Sequence, residues 1–306
     1  MRSRGFFIFF LIFAMILPLT ACSGEQSGPA QSTSSSALPT GSAVIVGPGS
    51  DNSGSVPAAS SGEVSSAPVS SGPEQVSVTI PEGFTLSQIG DRLEARGVCK
   101  KADFVKAAQS YDFSYYPLVR QIPANAHRCY RLEGYLYPET YEFFVGMKPQ
   151  DAVGKFLRVA EQEINGKYSY SGMTADQVIT LASVIEREAQ TPDDMKKVSS
   201  VFHNRLKQKM ILQADSTRDY CNQYLIPVFG DSSKYYYNTY PNRSPGLPAG
   251  PICNPGASAL DAAVHPADTD FLYFATGTNH KFYYGKTEAE RDAQMKADHV
   301  TVLYAD

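Results

Sequence analysis

Residues 174–189 read TADQVITLASVIEREA, a segment that predicts the central helix of the fold. Thr174 precedes Gln177 by three residues, which is the capping-box spacing that begins a helix. The apolar residues that follow recur at helical spacing and predict one buried stripe. They are Val178, Leu181, Ala182, Ile185 and Ala189. Two carboxylic acids, Glu186 and Glu188, then end the helix beside this stripe.

The positions of these two acids leave their roles open. Glu186 follows Ala182 by four residues and lies on one flank of the stripe, whereas Glu188 falls on the opposite flank. Helical geometry alone therefore does not choose between them. Both can also be surface charges that pair with Arg187 or with nearby lysines.

Upstream of this helix, the sequence predicts a small strand–helix–helix unit over residues 76–127. Residues 76–80 read VSVTI and alternate in polarity as a half-buried strand does. Thr85 and Gln88 form a second capping box, and Gly97 provides a C-terminal cap for the helix that follows. A further apolar stretch downstream indicates the second helix of the unit.

The remainder, residues 128–306, predicts a mixed domain, so the fold class expected for the chain is α+β. A helix is predicted over residues 149–164, and Thr191-Pro192 begins another with proline at its first position. Residues 208–256 are rich in turn formers and predict long loops with short strands. A hairpin around Gly277 and a final helix complete the domain.

The N-terminus has the layout of a secretory signal. Two arginines precede an apolar run over residues 6–17, which is shorter than the roughly 20 residues that a membrane span needs. Residues 19–22 read LTAC and resemble a bacterial lipobox, which implies a signal peptide over residues 1–22 and a lipid on Cys22. The alternative is a single uncleaved transmembrane helix. Either arrangement predicts a location at the extracytoplasmic face of the cell membrane.

Residues 23–75 are rich in Ser, Gly, Pro and Ala and predict a disordered tether. Such a composition cannot bury enough apolar surface to offset the entropy of ordering the chain. A coil of this length spans on the order of 40 Å, which would lift the folded part away from the membrane.

The composition argues against several classes of function. The formal net charge is -4 and no basic run is present, so no nucleic-acid partner is expected. The sequence contains no nucleophile elbow, no P-loop, no H-E-x-x-H and no dinucleotide-binding glycine motif. No cysteine pair has metal-ligand spacing, so neither a metal nor a cofactor is expected.

The cysteines divide into Cys22, which is assigned to lipid, and four others. Four cysteines in an exported chain allow three disulfide pairings. Proximity in the sequence favours Cys99 with Cys129 and Cys221 with Cys253. Four reduced thiols are the alternative.

Carboxylate chemistry remains as the candidate activity. Cleavage of a glycosidic bond needs a carboxylic acid that stays protonated near neutral pH and gives its proton to the leaving oxygen. Burial raises the pKa of such an acid. An acid at the margin of a buried helical stripe is well placed for that role.

Several stretches resemble, in this order, the endolytic murein transglycosylases, the MltG or YceG-like family. They are LEGYLYPETY at 132–141, ASVIEREA at 182–189, VFHNRL at 201–206, LQADST at 212–217, YNTY at 237–240, GLPAGPICNPG at 246–256 and FLYF at 271–274. Each motif is moderately specific, and their joint order is highly specific. Residues 76–98 resemble the LysM-like subdomain of the family, so the resemblance runs from about residue 76 to the end.

This resemblance implies a lytic transglycosylase in which Glu186 is the general acid. Glu186 would protonate the oxygen between N-acetylmuramic acid and N-acetylglucosamine, and the muramic 6-hydroxyl would close a 1,6-anhydro ring. Peptidoglycan glycan strands are then the substrate, and cell-wall synthases are expected partners. The resemblance also places six polar residues along the glycan cleft: Gln213, Asp215, Thr217, Asn238, Thr239 and Tyr240.

The chain departs from the family pattern at two places. Ser216 replaces a proline that is common in the family, and Arg291 stands where histidine is frequent and receives no role. Glu133 is interpreted as structural rather than as a second cleft acid. Whether the LysM-like segment binds glycan or only packs against the catalytic domain stays open. The alternative functions are a lysozyme-like hydrolase and a non-catalytic peptidoglycan-binding lipoprotein.

Overall fold

The computed structural model describes residues 72–240 and 245–303. The predicted signal peptide, the lipid-bearing Cys22 and most of the predicted tether lie outside these residues. No helix within the described ranges is long and apolar enough to cross a membrane.

The described part is α+β, as predicted, with two small antiparallel sheets among many helices. The helices are α1 (Leu86–Ala95), α2 (Lys101–Ser110), α3 (Pro117–Arg120), α4 (Pro149–Glu163), α5 (Ala175–Glu188), α6 (Pro192–Lys207), α7 (Asp215–Tyr220), α8 (Ile226–Phe229), α9 (Lys234–Tyr237), α10 (Ala257–Val264) and α11 (Glu288–Ala297). The strands are β1 (Gln75–Thr79), β2 (Thr140–Phe144), β3 (Tyr273–Thr276) and β4 (Phe282–Gly285).

The strand–helix–helix order predicted for the first unit is present as β1, α1 and α2. Thr85 and Gln88 form both hydrogen bonds of the predicted capping box at the start of α1. Gly97 follows that helix with φ of 70°, a left-handed conformation that glycine adopts without a Cβ clash. The LysM-like character of residues 76–98 stays a prediction.

Strand β1 pairs with β2 rather than with a strand of its own unit. The pairing is antiparallel, and Val78 lies opposite Tyr141 with both side chains buried. Because β2 lies beyond residue 127, the two predicted domains share one sheet and one continuous core. Pro138 precedes β2 and does not interrupt it.

Helix α5 lies at the centre of the second predicted domain. Every residue from Val178 to Ile185 is buried, so burial extends around the whole helix and beyond the predicted stripe. The reason is that α5 packs against both α6 and α10, and a helix covered on several sides has no free face. The predicted capping box between Thr174 and Gln177 is formed.

The prediction of short strands within residues 208–256 is wrong. The described residues of this region form α7, α8 and α9, a π-turn at Cys221–Leu225 and a 3₁₀ turn at Asp231–Ser233. None of the described residues between 208 and 256 forms a strand, and the short helical turns satisfy their backbone hydrogen bonds locally. The predicted hairpin around Gly277 is confirmed as β3 and β4.

The predicted disulfides are also not formed. Cys99, Cys129, Cys221 and Cys253 are all free thiols, and the last two are buried. The Cys253 sulfur lies 3.2 Å from the backbone oxygen of Ser183, which gives this thiol a hydrogen-bond acceptor within the core. The alternative of reduced cysteines therefore holds.

Candidate active site

The two acids that end α5 occupy different environments. Consecutive helical residues are about 100° apart around the axis, so Glu186 and Glu188 differ by about 200° and face opposite sides. Glu188 lines a cleft with a volume of about 590 Å³. Glu186 is not among the described residues that line it.

The cleft lies between the end of α5, α6, the loop that leads into α7, the β3 strand and α11. Its charged lining consists of four arginines and four carboxylic acids. They are Arg187, Arg205, Arg218, Arg291, Glu188, Asp215, Asp219 and Glu288. Side chains that can donate hydrogen bonds or stack on sugars complete the wall, and they include Gln213, Ser216, Tyr240 and Tyr273.

Glu188 is the acid of this cleft whose pKa is raised. Burial is the main cause, and the negative charges of Asp215 and Asp219 add to it. Ser216 opposes the rise through its nearby hydroxyl and through its backbone N–H, which donates to the Glu188 Oε1 over 3.4 Å. Glu188 forms no ion pair with any described residue. Its environment therefore favours a protonated carboxyl that faces a cavity.

Ser216 contributes a second feature beside Glu188. Its hydroxyl oxygen is buried and has no hydrogen-bond partner among the described residues. Buried polar atoms in proteins are nearly always satisfied, so this hydroxyl beside Glu188 is an exception. Ser216 thus places a hydroxyl and a backbone N–H next to Glu188.

The residues predicted to contact glycan divide into two groups. Gln213, Asp215 and Tyr240 line the cleft. Asp215 begins α7, where it accepts a hydrogen bond from the Tyr240 hydroxyl and pairs with Arg218 at 3.1 Å. Gln213 is exposed and has φ of 50°, a left-handed conformation that is uncommon for a residue with a side chain.

The other three predicted glycan contacts are placed differently. Thr217 and Thr239 are buried, their hydroxyls lie 3.0 Å apart, and Thr239 also accepts from the backbone N–H of Ala214. These hydrogen bonds join the loop before α7 to the residues that follow α9, on the side away from the cleft. Asn238 is half-buried, is not among the lining residues, and accepts from the Tyr240 N–H over 3.0 Å. These contacts position Tyr240.

Arg205 is a cleft residue that the sequence interpretation did not single out. It is 6% exposed and donates from Nε to the Leu272 oxygen over 2.6 Å and from Nη1 to the Leu212 oxygen over 2.8 Å. It thereby joins α6 to the loop before α7 and to the segment before β3. The available signal was the spacing: Arg205 follows Val201 by four residues and Phe202 by three, so it occupies a position where the buried apolar face of α6 would continue.

Glu186 lies on the other side of α5, at the start of α10. Its Oε2 accepts from the backbone N–H of Gly256 over 3.0 Å. Burial raises its pKa, Glu82 adds to the rise, and the Gly256 N–H and Arg187 oppose it. The carboxylate therefore joins the end of α5 to α10 beside the turn that carries Glu82.

Glu133 is buried and connects three segments. Its Oε1 accepts from the Leu86 N–H over 2.8 Å and from the Asn254 side chain over 3.1 Å. Its Oε2 accepts from the Tyr220 hydroxyl over 2.9 Å. Burial raises its pKa to about 7, against the opposing effects of these donors and of Arg128. This arrangement fits the structural role expected for Glu133.

A larger cavity of about 740 Å³ lies between the first half of α5 and the second half of α6. Asp176 is the one carboxylate in its described lining, and it is buried in an ion pair with Arg128 at 2.7 Å. Its Oδ1 also accepts from the Tyr135 hydroxyl over 2.7 Å, so this carboxylate is engaged within the protein. The smaller cleft is therefore the better candidate for acid catalysis.

No group of three or more His, Cys, Asp or Glu within residues 72–240 and 245–303 could hold a metal ion. The expectation of a metal-free and cofactor-free site stays a prediction.

The profile of the YceG-like family matches residues 57–297, which is most of the chain. The chain belongs to the YceG-like family. It is 31% identical over 233 residues to an endolytic murein transglycosylase of Bacillus subtilis, a match that covers 70% of this chain and 63% of the relative. It is 29% identical over 255 residues to the endolytic murein transglycosylase of Streptococcus pneumoniae D39, covering 74% of this chain and 45% of the relative.

The YceG-like fold is supported by a solved structure as well. A putative YceG-like protein from Listeria monocytogenes is 34% identical, with a TM-score of 0.60, and the match covers 72% of this chain and 75% of that one. The family resemblance inferred from the sequence motifs is thus confirmed. This YceG-like chain spans between about half and two thirds of the length of the curated relatives given above.

Proposed function

We propose that this protein cleaves the glycan strands of peptidoglycan as a lytic transglycosylase, and that Glu188 is its proton donor. One observation carries the assignment: Glu188 lines the cleft, has a raised pKa and forms no ion pair with the residues that the structure describes. Two relatives of similar sequence are named endolytic murein transglycosylases, which supports the substrate class. The motif resemblance favours Glu186 as the proton donor. We assign that role to Glu188 instead, because Glu186 accepts a hydrogen bond from the Gly256 N–H and does not line the cleft.

The proposed reaction uses one carboxyl twice. Glu188 gives its proton to the oxygen that leaves with N-acetylglucosamine, and the bond from that oxygen to the muramic anomeric carbon breaks. The muramic 6-hydroxyl forms a new bond to the same carbon, and its proton passes to the Glu188 carboxylate. The product carries a 1,6-anhydro ring, no water is consumed, and the enzyme regains its starting protonation state. Because the attacking hydroxyl belongs to the substrate, proximity supplies much of the rate.

The surroundings of Glu188 suit both halves of this cycle. Burial and the two nearby aspartates favour the protonated form that the first step needs. The Ser216 N–H and the Ser216 hydroxyl both lower the pKa of Glu188, so they can stabilise the carboxylate that exists between the two steps. Asp215 is engaged by Tyr240 and Arg218, so it is not free to act as a second nucleophile.

The test compares two isosteric variants, Glu188→Gln and Glu186→Gln, on purified uncross-linked glycan strands. Mass spectrometry counts 1,6-anhydro ends against reducing ends. Glu188→Gln should lower the rate at least about 100-fold, which is the usual contribution of a general acid. Glu186→Gln should retain most activity, since its amide oxygen can still accept from Gly256. The opposite ranking would return the role to Glu186, and reducing ends would indicate a hydrolase.

We further propose that a lipid on Cys22 holds the enzyme at the extracytoplasmic face of the membrane, near cell-wall synthases. The lipobox-like residues 19–22 support this location. Metabolic labelling with a fatty-acid analogue should mark the wild type and not Cys22→Ser. Equal labelling of both would contradict the proposal.

A further inference from the structure

The charges of the cleft are unbalanced in the state that is ready to react. Four arginines and four carboxylic acids line the cleft. When Glu188 is protonated, as the proposed function requires, the arginines outnumber the ionised carboxylates. A cleft with excess positive charge attracts an anionic ligand.

Three of the four arginines are already engaged by neighbouring groups. Arg218 pairs with Asp215 at 3.1 Å, and Arg291 pairs with Glu288 at 3.2 Å. Arg205 directs its donors at backbone oxygens of the cleft wall. These three guanidinium groups are therefore already used in contacts within the protein, and they are poorer candidates to bind an anionic ligand.

Arg187 differs from the other three. It is exposed and forms no side-chain hydrogen bond or ion pair with any described residue. Glu186 lies near enough for Arg187 to lower its pKa, yet the two are not within ion-pair distance. Arg187 thus presents free guanidinium donors on the wall of the cleft.

Arg187 directly precedes Glu188 on α5, and both residues line the cleft in which the proposed reaction takes place. The sugar on one side of the bond that this reaction breaks is a muramic acid, whose O3 carries a lactyl group. The lactyl group bears either a peptide with free carboxylates or, when the peptide is absent, its own carboxylate. A planar guanidinium binds carboxylates through two parallel hydrogen bonds.

We propose that Arg187 binds a carboxylate of the muramoyl side arm and thereby makes the enzyme selective for anionic glycan strands. This inference rests on the proposed function of the same cleft. The competing explanation is purely structural: a cation in the last turn of α5 interacts favourably with the helix dipole. That explanation predicts an effect on stability and no dependence on the charge of the substrate.

The experiment removes the positive charge of Arg187 from the enzyme or the negative charge of the carboxylates from the substrate. The enzymes are the full-length wild type, Arg187→Gln and the charge-retaining control Arg187→Lys. The substrates are uncross-linked strands with intact peptides, the same strands stripped of peptide by an amidase, and strands whose carboxylates have been converted to methylamides. The initial rate of anhydro-end formation gives KM for each combination.

For the wild type, methylamidation should raise KM about fivefold, the upper range for an exposed ion pair. Arg187→Gln should raise KM for intact strands by a similar factor and show no further rise on methylamidated strands. Arg187→Lys should retain part of the preference, and high salt should reduce the wild-type preference. Comparison of intact with amidase-treated strands identifies whether the peptide or the lactyl carboxylate is bound.

An Arg187→Gln enzyme that keeps the full wild-type preference for anionic strands would overturn the proposal. A failure of the proposed function gives a different result. In that case the wild type would cut none of the three substrates, or Glu188→Gln would cut them as fast as the wild type.

Discussion

Glu133 should make the stability of the folded chain depend on pH. The pKa of this carboxyl rises from an ordinary 4.5 to about 7 on folding, because it is 1% exposed and burial disfavours its charged form. The folded state therefore holds the proton more tightly than the unfolded state. The resulting stabilisation is complete below pH 4.5 and is lost as the pH rises through about 7. A shift of this size corresponds to about 3 kcal/mol, most of it lost between pH 5 and pH 8.

The perturbation is Glu133→Gln, which removes the titration and keeps the size of the side chain. Its amide oxygen can still accept from Leu86 and Asn254, and its amide nitrogen can donate to the Tyr220 oxygen. Urea unfolding followed by circular dichroism gives the free energy of unfolding of both proteins at pH 5 and pH 8. The wild type should lose about 2–3 kcal/mol more than the variant between these values. Because other groups titrate equally in both proteins, an identical loss in the two would refute the reasoning.

The remaining predictions concern residues that shape the site without facing the cleft. Gly134→Ala should lower the free energy of unfolding by about 1–3 kcal/mol, since φ is 86° and the new Cβ would lie 2.5 Å from the Pro251 ring; a change below about 0.5 kcal/mol in urea unfolding would contradict this. Thr217→Val should cost about 1–3 kcal/mol, because the Thr239 backbone N–H loses its acceptor and the hydroxyl bonds from Thr217 to the Ala214 oxygen and the Thr239 hydroxyl are lost. Thr217→Ser, which keeps the hydroxyl, is the control, and a glycan-binding defect without a stability loss would instead support the role predicted from the motif.

The elements with strong local signals were predicted well. The capping boxes at Thr85 and Thr174 lie where their spacing indicates, because both hydrogen bonds of such a box form within four residues. The hairpin around Gly277 follows from the same kind of local rule. The short strands expected within residues 208–256 failed, since pairing depends on an edge that no local pattern reveals.

The site was predicted in part. Gln213, Asp215 and Tyr240, predicted from the motif resemblance, line one cleft with Glu188, whereas Glu186, the acid predicted from the same resemblance, does not line it. Both acids belong to one short motif and flank one apolar stripe, so spacing is symmetrical between them. Their surroundings differ, because Glu186 contacts Gly256 at the start of α10, whereas Glu188 contacts Ser216 at the start of α7.

The sequence by itself determined the α+β class, the bounds of the long helices and the family, because each depends on spacing along the chain. Only the tertiary structure decided which acid lines the cleft, which threonines are buried behind it and which cleft arginine has no ion-pair partner among the described residues. These properties depend on segments that lie far apart in sequence, such as α5, α10 and the loop before α7. Burial and charge at a side chain are set by those distant neighbours, and no local pattern records them.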